Sequence, residues 1–90
     1  MRWHEMIEKL RKEIDRIDNN IITLLSKRKG IVKKIADIKR QKNKPVIDKE
    51  REQEIIHRLK KLSKEKGLDE NYIGSVYKII ISNSRNEQER

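Results

Sequence analysis

The chain has ninety residues, enough for one domain and too few for a second; a lone globule of that length would be roughly 30 Å across. Only 33% of residues are hydrophobic against 43% charged, so a monomer could bury little apolar surface and association is expected. The formal net charge of +9 favours anionic ligands, whether a small polycarboxylate, a phosphate or nucleic acid. The absence of cysteine excludes disulfides and thiolate metal sites, and no apolar run is long enough for a signal core or a membrane span. A cytoplasmic location is the expectation.

The first predicted element is long. Ile7, Leu10, Ile14, Ile17, Ile21 and Leu24, then Ile31, Ile35 and Ile38, recur at three-four spacing, the signature of a helix with one apolar seam. No proline interrupts before Pro45, so the helix is expected from about Trp3 to about Lys42, on the order of 60 Å. That is about twice the width of the globule one chain could make. The remaining residues cannot cover such a seam, and a second copy of the chain is the simplest cover.

Pro45 and Val46 predict a turn, with Asp48 as N-cap of a second helix carrying Ile55, Ile56, Leu59 and Leu62 on one side. Gly67 can close that helix in the left-handed conformation, and Asp69 can cap a third, striped by Ile73, Val76, Tyr77, Ile80 and Ile81. Fold class is therefore all-α, with three helices in a single domain over residues 1–90, one helix much longer than the others. The last few residues are expected to fray. Trp3, Tyr72 and Tyr77 suit packing better than base stacking, and His4 and His57 lack metal-ligand spacing.

Polar residues stand where the pattern asks for apolar ones. Arg28 occupies the seam between Ile21 and Ile35, where a guanidinium costs energy unless an anion meets it. Arg11, Asp18, Leu25, Val32 and Lys39 follow one another at intervals of seven on the adjoining stripe, and Lys39 points nearly the same way as Arg28. In the second helix Arg51 and Glu52 precede Ile55 and Ile56 by four residues, which turns them toward the core side. In the third, the Tyr77 and Ile81 stripe continues into Ser84 and Gln88. Any one of these could be a snorkelling cation or a helix end. Together they describe a cavity for a ligand with two carboxylates and a hydroxyl.

These residues fall in stretches that resemble the all-α chorismate mutases from Leu10 to Gln88. The stretches are LRKEIDRID from Leu10, LLSKR ending at Arg28, IADIK ending at Lys39, PVIDKERE from Pro45 to Glu52, and the closing IIISNSRNEQ. No single piece is diagnostic, but together with the intervening lengths they are specific. The resemblance implies an intertwined homodimer that rearranges chorismate to prephenate with no cofactor and no metal. It also implies that Arg28 and Arg11 of the partner subunit bind the substrate carboxylates, assisted by Arg51 and Ser84. Lys39 and Gln88 would donate to the ether oxygen, while Glu52 and the backbone near Asp48 would hold the ring hydroxyl. One domain implies a monofunctional enzyme, with neither nucleic acid nor membrane as partner. Two alternatives stand beside it: an isochorismate-pyruvate lyase of the same fold, and a basic helical dimer that binds nucleic acid.

Overall fold

The computed structural model describes residues 2–89, which form three helices and, among the described residues, no strand: α1 (Trp3–Gln41), α2 (Lys49–Glu65) and α3 (Glu70–Glu89). The chain divides into two units, Met1–Ile31 and Val32–Arg90, with α1 running through the boundary.

In the first unit the seam residues stand open. Leu10, Ile14, Ile17, Ile21, Leu24 and Ile31 are each about half exposed or more, and Arg28 is half-buried. Trp3, expected to pack, is exposed, its ring nearly perpendicular to that of His4 at 5.4 Å between centroids. Helicity here is local: the backbone ladder, strong helix formers, and ion pairs one turn apart such as Arg11 with Glu8 at 2.7 Å.

In the second unit the backbones of α2 and α3 approach one another. Ile55, Ile56 and Leu59 of α2 and Ile73, Val76, Tyr77 and Ile80 of α3 are all half-buried, and Ile81 is buried, as is Ala36 from α1. The approach is close at Gly74, where a Cβ would lie 2.7 Å from Cε of Lys60, so the lysine stem occupies the space of the missing side chain. Tyr77 packs as expected, whereas Tyr72 is exposed.

Each helix end has a local cause. Asp48 is the N-cap of α2 and its carboxylate accepts from the Arg51 amide at 3.0 Å. Asp69 does the same for α3, accepting from the amides of Asn71 at 2.8 Å and Tyr72 at 3.3 Å. Gly67, at φ 74, closes α2 through a Leu68 amide bond to the Ser63 carbonyl at 2.8 Å and a Gly67 amide bond to the Lys64 carbonyl at 3.2 Å. The end of α1 falls within one residue of the expected Lys42. Helix α1 stops at Gln41 because Asn43 adopts φ 56, with the Lys44 amide bonded to the Lys39 carbonyl at 2.8 Å and the Asn43 amide to the Arg40 carbonyl at 3.1 Å. Asn43 ends the helix before Pro45 is reached, by the same device that Gly67 uses.

Candidate functional site

The turn between α1 and α2 carries Lys44, Pro45, Val46, Ile47 and Asp48 past the end of α1. Lys39, in the last turn of α1 and half-buried, donates from Nζ to the Val46 carbonyl at 3.4 Å. Beside it is a cleft of about 770 Å³ lined by Lys39, Lys44, Pro45, Ile47, Asp48, Lys49 and Arg85. Four cationic side chains face one carboxylate there, and that carboxylate already accepts from the backbone as a helix cap. A small dianion is what such a wall attracts.

Glu52, in the first turn of α2, is reached from the far end of α3. Arg85 Nε donates to Oε2 of Glu52 at 2.8 Å, and Arg85 Nη2 donates to Oε1. The hydrogen bond to Glu52, reinforced by the charges of Glu52 and Glu89, holds the guanidinium pKa above its ordinary value against the opposing pull of burial. Glu52 and Arg85 also line a second hollow of about 300 Å³, with Lys49, Gln53, Ile56, Lys78, Ile81 and Ser82, so Arg85 borders both spaces.

The last turn of α3 is held from α1. Arg40 Nη2 donates to the Gln88 carbonyl, and Lys33 Nζ lies 3.9 Å from Oε2 of the buried Glu87. Helix α3 continues through Glu89, and Gln88 is half-buried. Ser84 donates from Oγ to the Ile80 carbonyl one turn back at 3.0 Å.

Among the residues singled out from sequence, Lys39 and Asp48 share the cleft, and Glu52 joins it through Arg85. Arg51 differs from the expectation of a core-facing side chain: it is exposed, and an ion pair with Glu54 three residues on, at 3.0 Å, holds its guanidinium along the outside of α2. Arg11 and Arg28 belong to the first unit, where Arg11 is exposed and bound to Glu8 and Arg28 is half-buried. Sequence reasoning passed over Arg85, Arg40 and Lys44. The signal for Arg85 was there: it follows the core residue Ile81 by four, the spacing that returns a helix side chain to the same face.

Comparison with known proteins decides the family. The profile of the family described as Chorismate mutase type II matches residues 10–89. The chain belongs to that family. It is 43% identical over 83 residues to the chorismate mutase of Methanocaldococcus jannaschii, covering 89% of this chain and 84% of that protein. It is 46% identical over 61 residues to the bifunctional chorismate mutase/prephenate dehydratase of Aquifex aeolicus, and 32% identical over 75 residues to the protein so named from Escherichia coli. Those two alignments take in 68% and 83% of this chain but only 17% and 19% of the longer proteins, so the chain spans under a fifth of either of those two. Among the described residues, no helix is long and apolar enough to cross a membrane.

Proposed function

We propose that this chain catalyses the rearrangement of chorismate to prephenate, a step of aromatic amino acid biosynthesis. The observation that carries the proposal is the family match across residues 10–89, which takes in the cationic cleft at Lys39. The reaction breaks a C–O bond and forms a C–C bond within one molecule. No group is transferred to or from the protein, and neither a nucleophile nor a general base is required. What is required is a folded substrate conformer and stabilisation of the negative charge that grows on the ether oxygen as the C–O bond opens.

The residue roles follow that need. Lys39 and Gln88 donate to the ether oxygen, and the charge of Lys39 suits it to an oxygen that becomes more anionic in the transition state. Arg28 and Arg11 of the partner subunit bind the two carboxylates, with Arg51 and Ser84 assisting, and Glu52 together with the backbone at Asp48 holds the ring hydroxyl. The half-buried Lys39 supports this assignment, as does the attachment of the Gln88 turn to Arg40.

The working unit is an intertwined homodimer. Its support is the α1 seam, whose isoleucines and leucines stay about half exposed in one chain and would each gain about 1 kcal/mol on being covered. A soluble dimer without cysteine suits the cytoplasm.

Purified protein added to chorismate should abolish the chorismate absorbance and yield prephenate, which acid converts to phenylpyruvate. Consumption of isochorismate to salicylate and pyruvate, with chorismate untouched, would instead make it the lyase. Turnover of neither, with tight salt-sensitive binding to nucleic acid, would remove it from catalysis altogether.

A further inference from the structure

Arg85 is a cation at the site with no role in the proposal above, and its geometry is specific. It approaches Glu52 side-on, Nε to one carboxylate oxygen and Nη2 to the other, from thirty-three residues further along the chain. Glu52 is well covered, its side chain 17% exposed, and the Arg85 side chain, 38% exposed, reaches it from the rim of the site. A side-on guanidinium engages one lone pair on each oxygen and fixes the plane of the carboxylate, leaving the outer lone pairs to accept from another donor. Without that contact the Glu52 side chain, in the first turn of α2, has several rotamers open to it.

We propose that Arg85 is a positioning residue for Glu52, holding its carboxylate in the orientation in which an outer lone pair accepts a hydrogen bond from the ring hydroxyl of the substrate. The inference rests on the hydroxyl-binding role given to Glu52 above. The ring hydroxyl takes no part in the bonds made and broken, so its hydrogen bond has the same strength in the bound substrate and in the transition state. Loss of such uniform binding raises KM and leaves kcat nearly unchanged. A contact that merely held α2 to α3 would show in melting temperature and not in that division. A guanidinium that bound a substrate carboxylate itself would weaken binding whether or not Glu52 were intact.

The test is steady-state kinetics on chorismate with the full chain and four variants: Arg85→Ala, Arg85→Lys, Glu52→Gln, and Glu52→Gln with Arg85→Ala. Arg85→Ala should raise KM about tenfold, the worth of one charge-assisted hydrogen bond, with kcat within about threefold of wild type. Arg85→Lys should recover part of the loss, because an ammonium keeps the charge but not the two-point geometry. In the double variant KM should lie within about twofold of that of Glu52→Gln alone, since the two residues act as one unit. If Arg85→Ala unfolds, Arg85→Met, which keeps the aliphatic stem, takes its place in each comparison.

Unchanged KM in Arg85→Ala while Glu52→Gln raises it would overturn the positioning role and leave the reading of Glu52 standing. Additive losses in the double variant would overturn it as well, and would make Arg85 a direct contact of the substrate. Unchanged kinetics in Glu52→Gln would remove the hydroxyl-binding role of Glu52 and the Arg85 inference with it.

Discussion

Residues 7–31 and residues 49–89 carry apolar stripes of similar regularity, and they make different use of them. In the α2 and α3 pair, Ile55, Ile56, Leu59, Ile73, Val76, Ile80 and Ile81 are half-buried or buried, and the turn at Gly67 and Leu68 brings the two helices together within one chain. In the first unit of α1 the isoleucines and leucines keep roughly half their surface in water. A helical pattern therefore fixes which face must be covered, while the connection that follows decides whether the same chain can do it. Where a four-residue turn returns the chain at once the cover is intramolecular, and where the helix continues for eleven turns the stripe stays open within the chain.

The largest effect should come from attacking the uncovered stripe. Ile21→Asp puts a carboxylate near the middle of the α1 seam, and a charge buried there without a partner costs several kcal/mol. Dissociation or unfolding, with loss of activity, is expected in sedimentation and circular dichroism. A compact, fully helical monomer with unchanged melting temperature would show that the α1 stripe needs no cover, and the contrast between the two regions would lose its meaning.

Lys39→Ala sharpens the contrast from the other side, because it should remove chemistry and leave assembly alone. A cationic donor aimed at charge present mainly in the transition state is worth about 3 to 4 kcal/mol, so turnover should fall at least about a hundredfold with the sedimentation profile unaltered. A smaller loss would take Lys39 out of the mechanism. The neighbouring donor gives a pH signature. Wild-type turnover should vary little around neutrality because the Gln88 amide does not ionise. In Gln88→Glu the carboxyl donates only when protonated, so activity should rise as pH falls through its pKa, by about tenfold per unit on the high side. Equal activity of that variant at pH 5 and pH 8 would mean that residue 88 does not touch the ether oxygen.

Most of the helical architecture was legible in the sequence because it is written in short-range chemistry: three-four spacing, the caps at Asp48 and Asp69, the left-handed Gly67. The end of α1 was legible only in part. Proline is a conspicuous helix breaker, whereas an asparagine is a weaker stop signal that also occurs inside helices, so Pro45 drew the notice and the role of Asn43 shows only in its φ and its hydrogen bonds. The polar residues of the cleft were found by asking which side chains broke an apolar pattern. That question picks out Lys39 and Glu52, and misses Arg85 and Arg40, which meet the site from α3 and α1 through contacts thirty-three and forty-eight residues apart. Facing direction near a cap is also poorly encoded, which is why Arg51 points to water and Glu54 although its spacing from Ile55 suggested the core.

Whether the cover of α1 comes from a second copy that also completes the site can be read from mixed lesions. Arg11 and Arg28 are seventeen residues apart, roughly 26 Å along a helix, too far to grip one small substrate from the same chain. In an antiparallel pairing about Ile21 and Ile22, residue 11 of one chain falls opposite a point near residue 32 of the other, between Arg28 and Lys39. Arg11→Ala and Lys39→Ala should each be nearly inactive. Unfolded together and refolded as an equal mixture, half of the dimers are heterodimers with one doubly damaged and one intact site, so activity should return to about a quarter of wild type. Confirmed subunit exchange with no recovery would place Arg11 outside its partner's site.

The smallest effect concerns a single methyl group on the side of α1 turned away from the seam. Gly30 lies well inside the helix, where glycine is about 1 kcal/mol worse than alanine because the unfolded chain has more freedom to lose. It stands two residues from Arg28, about 200° round the helix, and so faces away from the stripe of Ile21, Arg28 and Ile35. A Cβ built at Gly30 meets nothing within 4 Å in the chain. If the partner subunit covers only the seam, alanine gains its helical preference with no clash, and Gly30→Ala should raise stability by about 1 kcal/mol per chain. In a dimer of this size that is a rise in melting temperature of roughly 2–4 °C per kcal/mol, with kcat and KM on chorismate unchanged. A fall in melting temperature would mean that a second backbone comes close to Gly30 in the assembly, and that the covered surface of α1 extends beyond the stripe its apolar residues mark.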